Sequence, residues 1–311
     1  MRFLFLFVIL FSISTLSIAC DMCNCYLGLD PGYNKNTIGI LSSWRSAQWV
    51  PPVSSTLRSA HTNHNSGEHS NSSKLKENFI NTGVFIKYAP VSKLRLYATI
   101  PYVINTLSYE GVTESRNSIS DFTLLAMYQV INTMSTDSLK TRHRFFAGGG
   151  VKFPTGKSEG ASEVDIPMSH HLYSGTGSTD LIISLSYIGK CKKTGWSIDA
   201  SYKLNGESKN DYRYGHTLNV TPNLFYEINC KSIKLFPHLG AAYEQCLDDE
   251  WNDVTMKETN GETLFASAGV DLYFGTKVSL TTDLRLPFYH DMGAMKSEDK
   301  SVLFTSLNFH F

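Results

Sequence analysis

Apolar and polar residues alternate along most of this chain, and the phase holds over long stretches. In 93–103, Leu94, Leu96, Ala98, Ile100 and Tyr102 fall on one side of an extended strand, with Lys93, Arg95, Tyr97 and Thr99 on the other. In 276–288, Val278, Leu280, Thr282, Leu284, Leu286 and Phe288 oppose Lys277, Ser279, Asp283 and Arg285. In 119–131, Phe122, Leu124, Ala126, Tyr128 and Val130 oppose Asp121, Thr123 and Gln129. A period of two is the mark of a strand whose faces meet different surroundings. Twelve such strands are predicted, at 36–48, 79–88, 93–103, 119–131, 142–153, 178–188, 194–204, 214–227, 232–245, 262–274, 276–288 and 301–311. Each is about as long as a tilted strand needs to cross a bilayer, roughly 9–11 residues.

The last segment carries Leu303, Leu307, Phe309 and Phe311 on one face and Ser306, Asn308 and His310 on the other. A half-apolar strand ending on an aromatic residue is how outer-membrane barrels finish, and it serves as an assembly signal. The connections alternate in length. Short links follow the second, sixth, eighth and tenth segments, the fourth link is of medium length, and long links follow the odd-numbered segments. Short turns on one side and long loops on the other are expected of an even-stranded membrane barrel with both termini in the periplasm. Tyr88, Tyr128, Tyr187, Trp196, Tyr226, Phe274 and Phe311 fall near one set of strand ends, and Tyr102, Tyr202, Tyr243 and Phe288 near the other. Amphipathic rings prefer the membrane–water boundary, so two girdles are expected.

The N-terminus follows a different rule. Arg2, the apolar run Phe3 to Phe11 and the small-x-small site Ser17-Ile-Ala19 read as a secretory signal peptide, 1–19. The expected organisation is then a Cys-rich periplasmic segment, 20–35, and a barrel, 36–311. Cys20 would be the first mature residue, which leaves lipidation open. The formal net charge is +0, so no polyanionic or nucleic-acid partner is suggested. Beyond the signal no apolar run approaches the ~18 residues of a helical span.

Several local motifs resemble a known family. Gly148-Gly-Gly-Val-Lys-Phe-Pro-Thr-Gly156 is similar to a "G-x-K-x-P-T-G" strand end. Gly175-Thr-Gly-Ser-Thr-Asp180 resembles the start of the strand that follows it, and Ser120-Asp-Phe-Thr-Leu-Leu a "G-D-x-x-L" start. Ile100-Pro-Tyr102 and Leu286-Pro-Phe288-Tyr resemble two further strand ends. Order and spacing together are similar to the family named for the MetA pathway of phenol degradation. The resemblance implies an outer-membrane channel, distantly like long-chain fatty-acid transporters, passing small or hydrophobic compounds. The segment Cys20-Asp-Met-Cys-Asn-Cys25 departs from it.

Inward positions carry charges of both signs: Lys87, Arg95, Asp121, Arg144, Lys152, Asp180, Asp199, Lys203, Glu227, Lys234, Glu244, Asp271, Asp283 and Arg285. Inside a barrel such groups must be paired or wet. They form either a salt-bridge filling or a selective conduit, and Arg95, Asp121, Lys152, Asp283 and Arg285 are the candidate lumen gates. Cys20, Cys23 and Cys25 suit a soft metal such as copper or zinc, or a disulfide, or lipidation of Cys20. His61, His64 and His69 in the longest outer loop, with His170 and His171 in the third, could gather a divalent ion at the opposite mouth. Cys191 and Cys230 sit in successive periplasmic turns and are expected to form a disulfide.

No Gly-x-Ser-x-Gly elbow or His-Glu-x-x-His motif occurs. His216, the outward histidine nearest the outer rim, has Tyr202 and Tyr243 beside it and no serine. An enzyme is therefore not expected. The reading is an all-β, transmembrane, antiparallel up-and-down β-barrel of about twelve strands in the outer membrane of a Gram-negative bacterium. The lipid bilayer, a small-molecule solute and the outer-membrane assembly machinery are its partners, and no cofactor is required. Passive passage of a small solute is the first function. Copper or zinc traffic and a non-transporting structural barrel are the alternatives.

Overall fold

A computed structural model describes residues 35–49, 75–109, 112–134, 136, 140–158, 173–291 and 298–311. The strands are β1 (Thr37–Trp49), β2 (Leu75–Val91), β3 (Leu94–Tyr109), β4 (Val112–Ile119), β5 (Phe122–Asn132), β6 (Thr141–Phe153), β7 (Asp180–Cys191) and β8 (Thr194–Leu204). They continue as β9 (Tyr212–Arg213), β10 (Thr217–Tyr226), β11 (Ile228–Cys230), β12 (Ile233–Cys246), β13 (Asp249–Trp251), β14 (Val254–Met256), β15 (Gly261–Phe274), β16 (Val278–Asp291) and β17 (Glu298–His310).

Twelve of these form one closed antiparallel ring in the order β1, β2, β3, β5, β6, β7, β8, β10, β12, β15, β16, β17. The ring closes where β1 meets β17, with Ile38 opposite Phe309 and Arg45 opposite Val302. Closure leaves no unpaired edge, which a sheet surrounded by lipid requires. All twelve expected segments are present. The chain reverses more sharply than the alternation suggested between 103 and 122. There β3 runs on past the barrel wall and pairs with β4 as a hairpin, and β5 starts afresh at Phe122. A second small sheet, β14-β13-β9, sits over the loop-bearing end.

The fold is turned inside out relative to a soluble protein. Leu239 and Leu224, on the outer face, are 67% and 64% exposed, whereas Asp180 and Asp271, on the inner face, are 0% exposed. Ile40, Val84, Ile100, Leu181, Ile183 and Leu286 extend the same apolar exterior around the ring. No described helix is long and apolar enough to cross a membrane. A continuous apolar exterior on a closed, even-stranded barrel faces lipid, which makes this an outer-membrane barrel of the Gram-negative kind. Tyr88, Tyr128, Tyr226, Phe274 and Phe311 are exposed at the end bearing both barrel termini, and Tyr102 and Phe288 near the other. Tyr187, Trp196, Tyr202 and Tyr243 are only partly exposed.

The glycine run of β6 has a local cause. A Cβ on Gly148 would stand 2.0 Å from the Ala126 carbonyl oxygen, and one on Gly150 would stand 2.2 Å from that of Leu124. The close approach is to the neighbouring strand β5.

Candidate functional site

Eight-stranded barrels have an interior that side chains just fill, and the diameter grows with strand number. Twelve strands therefore leave a lumen that only long side chains can bridge. The inward positions supply them in layers.

At the end bearing the termini, Ile188, Phe225, Phe236 and Tyr273 pack as one buried cluster with Met134 against it. Phe236 meets Phe225 edge-on at 6.2 Å and Tyr273 at 5.6 Å. Tyr273 stacks on His310 at 5.9 Å. The imidazole of His310 is held from both sides, 3.0 Å from Thr37 Oγ1 and 2.9 Å from Ser279 Oγ.

Above this layer runs a chain of ion pairs. His238 Nε2 lies 3.2 Å from Asp283 and its Nδ1 lies 3.6 Å from Asp271. Thr281 donates to Asp271. Arg285 Nε donates to Asp283 at 3.0 Å, and its Nη1 lies 3.4 Å from Glu244. Arg45 Nη1 reaches the other oxygen of Glu244 at 2.9 Å. Around the ring β1 and β12 are separated by β17, β16 and β15, so the Arg45–Glu244 contact is a chord across the lumen. The guanidinium of Arg285 lies 4.4 Å from the Phe304 ring and that of Arg45 lies 5.6 Å from the Phe265 ring. Those rings belong to a buried cluster with Ala242 and Val302. On the far wall Arg95 covers Phe146 at 4.3 Å, over Leu125, Met127 and Ile182.

One side of the loop-side mouth carries a compact knot. Lys152 Nζ lies 2.8 Å from Asp121 and 2.7 Å from Asp180 and donates to Thr176 Oγ1 at 2.6 Å. Asp121 also accepts backbone N–H bonds from Gly156 at 2.9 Å and Thr176 at 3.0 Å. Asp180 accepts from Ser178 at 2.7 Å and from the Gly206 N–H at 3.1 Å. Gly156 and Gly175 must be small here, since a Cβ on either would come within 2.9 Å of Asp121 Oδ1 and of the other glycine. The knot thus ties β5, β6 and β7 to both ends of the loop between β6 and β7.

The five expected gates are buried and inward, but they fall into three places rather than one. Asp121 and Lys152 pair at the mouth, Asp283 and Arg285 pair in the middle, and Arg95 sits over Phe146. Lys87, Arg144, Asp180, Lys203 and Asp271 are likewise inward and buried. Asp199 is inward and only partly enclosed. Glu227 lies at the rim, paired with Lys190. Arg45 and His238 join them in the lumen, as alternation dictates: Ser43 and Arg45 share a face, as do Phe236, His238 and Gly240. His216 sits at the loop-side rim, where its Nδ1 accepts the N–H of Asn205 at 3.1 Å. Burial, and then the nearby charge of Arg213, hold its imidazole below the usual value.

The expected disulfide is not formed: Cys191 and Cys230 carry free thiols. Strand register gives the reason. Cys191 pairs with Thr194 on β8, and Thr194 pairs with Tyr226 on β10. Two strand spacings of ~4.8 Å therefore separate Cys191 from Tyr226 on β10, beyond the ~7 Å between Cα atoms that a disulfide spans. Cys230 lies further out still, on β11. The metal candidates Cys20, Cys23, Cys25, His61, His64, His69, His170 and His171 lie outside the described residues. Among the described residues no group of three or more His, Cys, Asp or Glu could hold a metal ion.

This chain is similar to several solved outer-membrane structures. An outer membrane channel from Pseudomonas putida F1 has the same fold, with a TM-score of 0.62 at 15% identity over 94% of this chain and 100% of that one. The transport unit of the autotransporter AIDA-I from Escherichia coli gives 0.49 at 8% identity over 92% of each chain. A Pseudomonas aeruginosa FadL homologue gives 0.41 at 11% identity, covering 89% of this chain and 91% of that one. No curated protein matches the sequence. The family model for the MetA-pathway of phenol degradation matches residues 77–291, most of the barrel, and the chain belongs to that family.

Proposed function

We propose that this chain is a passive outer-membrane channel for small polar solutes, with the barrel termini on the periplasmic side. The observation that carries the proposal is the lumen itself. Its middle and its mouth are lined by charges that neutralise one another, across the bore in the chord from Arg45 to Glu244 and along one wall in the knot around Lys152. A hydrophobic cargo would have to strip these groups of their partners, at several kcal/mol per ion. A small polar solute can replace the hydrogen bonds that it interrupts. The Pseudomonas putida protein of the same fold is an outer membrane channel, which supports the reading.

Liposome swelling tests this. Vesicles holding the refolded mature chain should swell with the smallest neutral polar solutes and stop swelling as solute size rises. Swelling with none of them, from a chain shown to be folded, would contradict the proposal.

A further inference from the structure

The end of the barrel that bears the termini is ringed with exposed lysines. Five connections lie there, β2–β3, β5–β6, β7–β8, β11–β12 and β15–β16. Each presents one or two exposed ammonium groups: Lys93, Lys140, Lys192 with Lys193, Lys231, and Lys277. Among the described residues beside these connections the acid is Glu227, between β10 and β11, and it is paired with Lys190; the sequence adds Asp137, outside the described residues. The loop-bearing end is different. There Asp211, Asp248, Asp249, Glu250, Asp253 and Glu258 are interspersed with Lys209, Arg213 and Lys257. A chain of formal net charge +0 has thus placed a predominantly positive ring at one end, where the acid Glu227 is already paired with Lys190.

Two further observations bear on what meets the ring. Tyr88, Tyr128, Tyr226 and Phe274 are exposed on the outer wall a few residues from the lysines. They fix the edge of the hydrocarbon, so the ammonium groups fall at the level of lipid phosphates. Lys192 and Lys231 also occupy left-handed backbone positions, with φ of 54° and 47°. Gly or Asn would adopt these at lower cost. Lysine stands at both positions at a conformational cost, where a turn alone would favour another residue.

We infer that this lysine ring is a binding surface for the anionic phospholipid headgroups of the leaflet in which that end of the barrel sits. Each turn contributes a cation at a different azimuth, so the surface fits a lipid annulus rather than a single ligand. A Lys near an anionic membrane surface is attracted to it, and the attraction fades within a Debye length. The inference depends on the barrel's membrane placement and not on the channel reading.

The test compares unfolding rates in urea for the chain folded into phosphatidylcholine vesicles and into vesicles half phosphatidylglycerol. At low salt the wild type should unfold about tenfold more slowly with phosphatidylglycerol, a difference that molar salt should abolish. The variant Lys93→Gln, Lys140→Gln, Lys192→Asn, Lys193→Gln, Lys231→Asn, Lys277→Gln should unfold at one rate in both. Asn is used at 192 and 231 because it tolerates positive φ. A wild type that is indifferent to phosphatidylglycerol, or a dependence that survives in the variant, would overturn the inference. The wild-type salt comparison decides it even if the variant does not fold. Swelling activity in the same vesicles reports separately on the channel reading.

Discussion

Lys152 is the side chain on which the loop-side mouth depends most. It is buried, and the Asp121 and Asp180 carboxylates both face it. Lys152→Met keeps most of its length and removes the charge, leaving two carboxylates enclosed without a cation. Removing one partner of a buried pair costs about 3–5 kcal/mol, so this variant should lose that much in urea unfolding. Asp121→Asn with Asp180→Asn in the same background should restore part of the loss. A loss well under ~1 kcal/mol would mean that the knot is wet and weak. The partners were legible in part. Alternation put Asp121 and Lys152 on the inner face, and the Gly-rich motifs marked the loop ends that meet there. That Thr176 and the N–H of Gly156 complete the knot was not legible, because the distance from 156 to 175 along the chain hides their contact. The missing disulfide marks a related limit. Turn order was read correctly and the two turns are neighbours, but Cys191 stands on the far strand of its hairpin, so β8 lies between it and β10.

At the scale of elements, period two carries the argument. It located all twelve barrel strands, because a wall between lipid and lumen enforces the alternation on every one. It failed where that constraint ends. The β3–β4 hairpin projects past the wall with Thr106, Ser108, Thr113 and Ser115 paired across it, so polar residues occupy its surface and no apolar phase remains to be read. The strands β9, β13 and β14 are too short to show any period. The β5–β6 seam gives a test. Gly150→Ala places a methyl group against the Leu124 carbonyl and should destabilise by about 1–3 kcal/mol, as overpacking does. Gly149→Ala, whose nearest neighbour would be Ile182 O at 3.0 Å, should cost less. Equal losses would mean that the seam is not tight. The Glu227–Lys190 pair at the rim gives another. Burial pushes the Glu227 carboxyl up, but hydrogen bonds from Lys190 and Asn229 and the charges of Lys190 and Lys234 outweigh it, so it titrates below its ordinary 4.5. The pair therefore stabilises fully above that value and loses its contribution as pH falls below it. Wild type should be more stable than Glu227→Gln at neutral pH, by about 1 kcal/mol or less. The gap should close on acidification below 4.5, and a gap that widens would contradict the assignment.

For the whole molecule, closure and the inside-out distribution of polarity decide placement, and the bore decides what the placement is for. The barrel was the most legible feature of the sequence, since it is written in every strand. The contents of the lumen were the least legible. Fourteen inward charges can be named from alternation, but which of them meet depends on tilt and on chords such as Arg45 to Glu244, which join strands far apart around the ring. Across that chord the channel reading is most exposed to test. Arg45→Ala with Glu244→Ala removes a neutral pair, leaves Arg285 with Asp283, and clears the bore at its middle. The decisive measurement is single-channel conductance in a planar bilayer, wild type against this double variant, each shown to be folded. The account predicts a small conductance for the wild type and a larger one for the variant. No current from either would contradict it, and so would a variant no more conductive than the wild type.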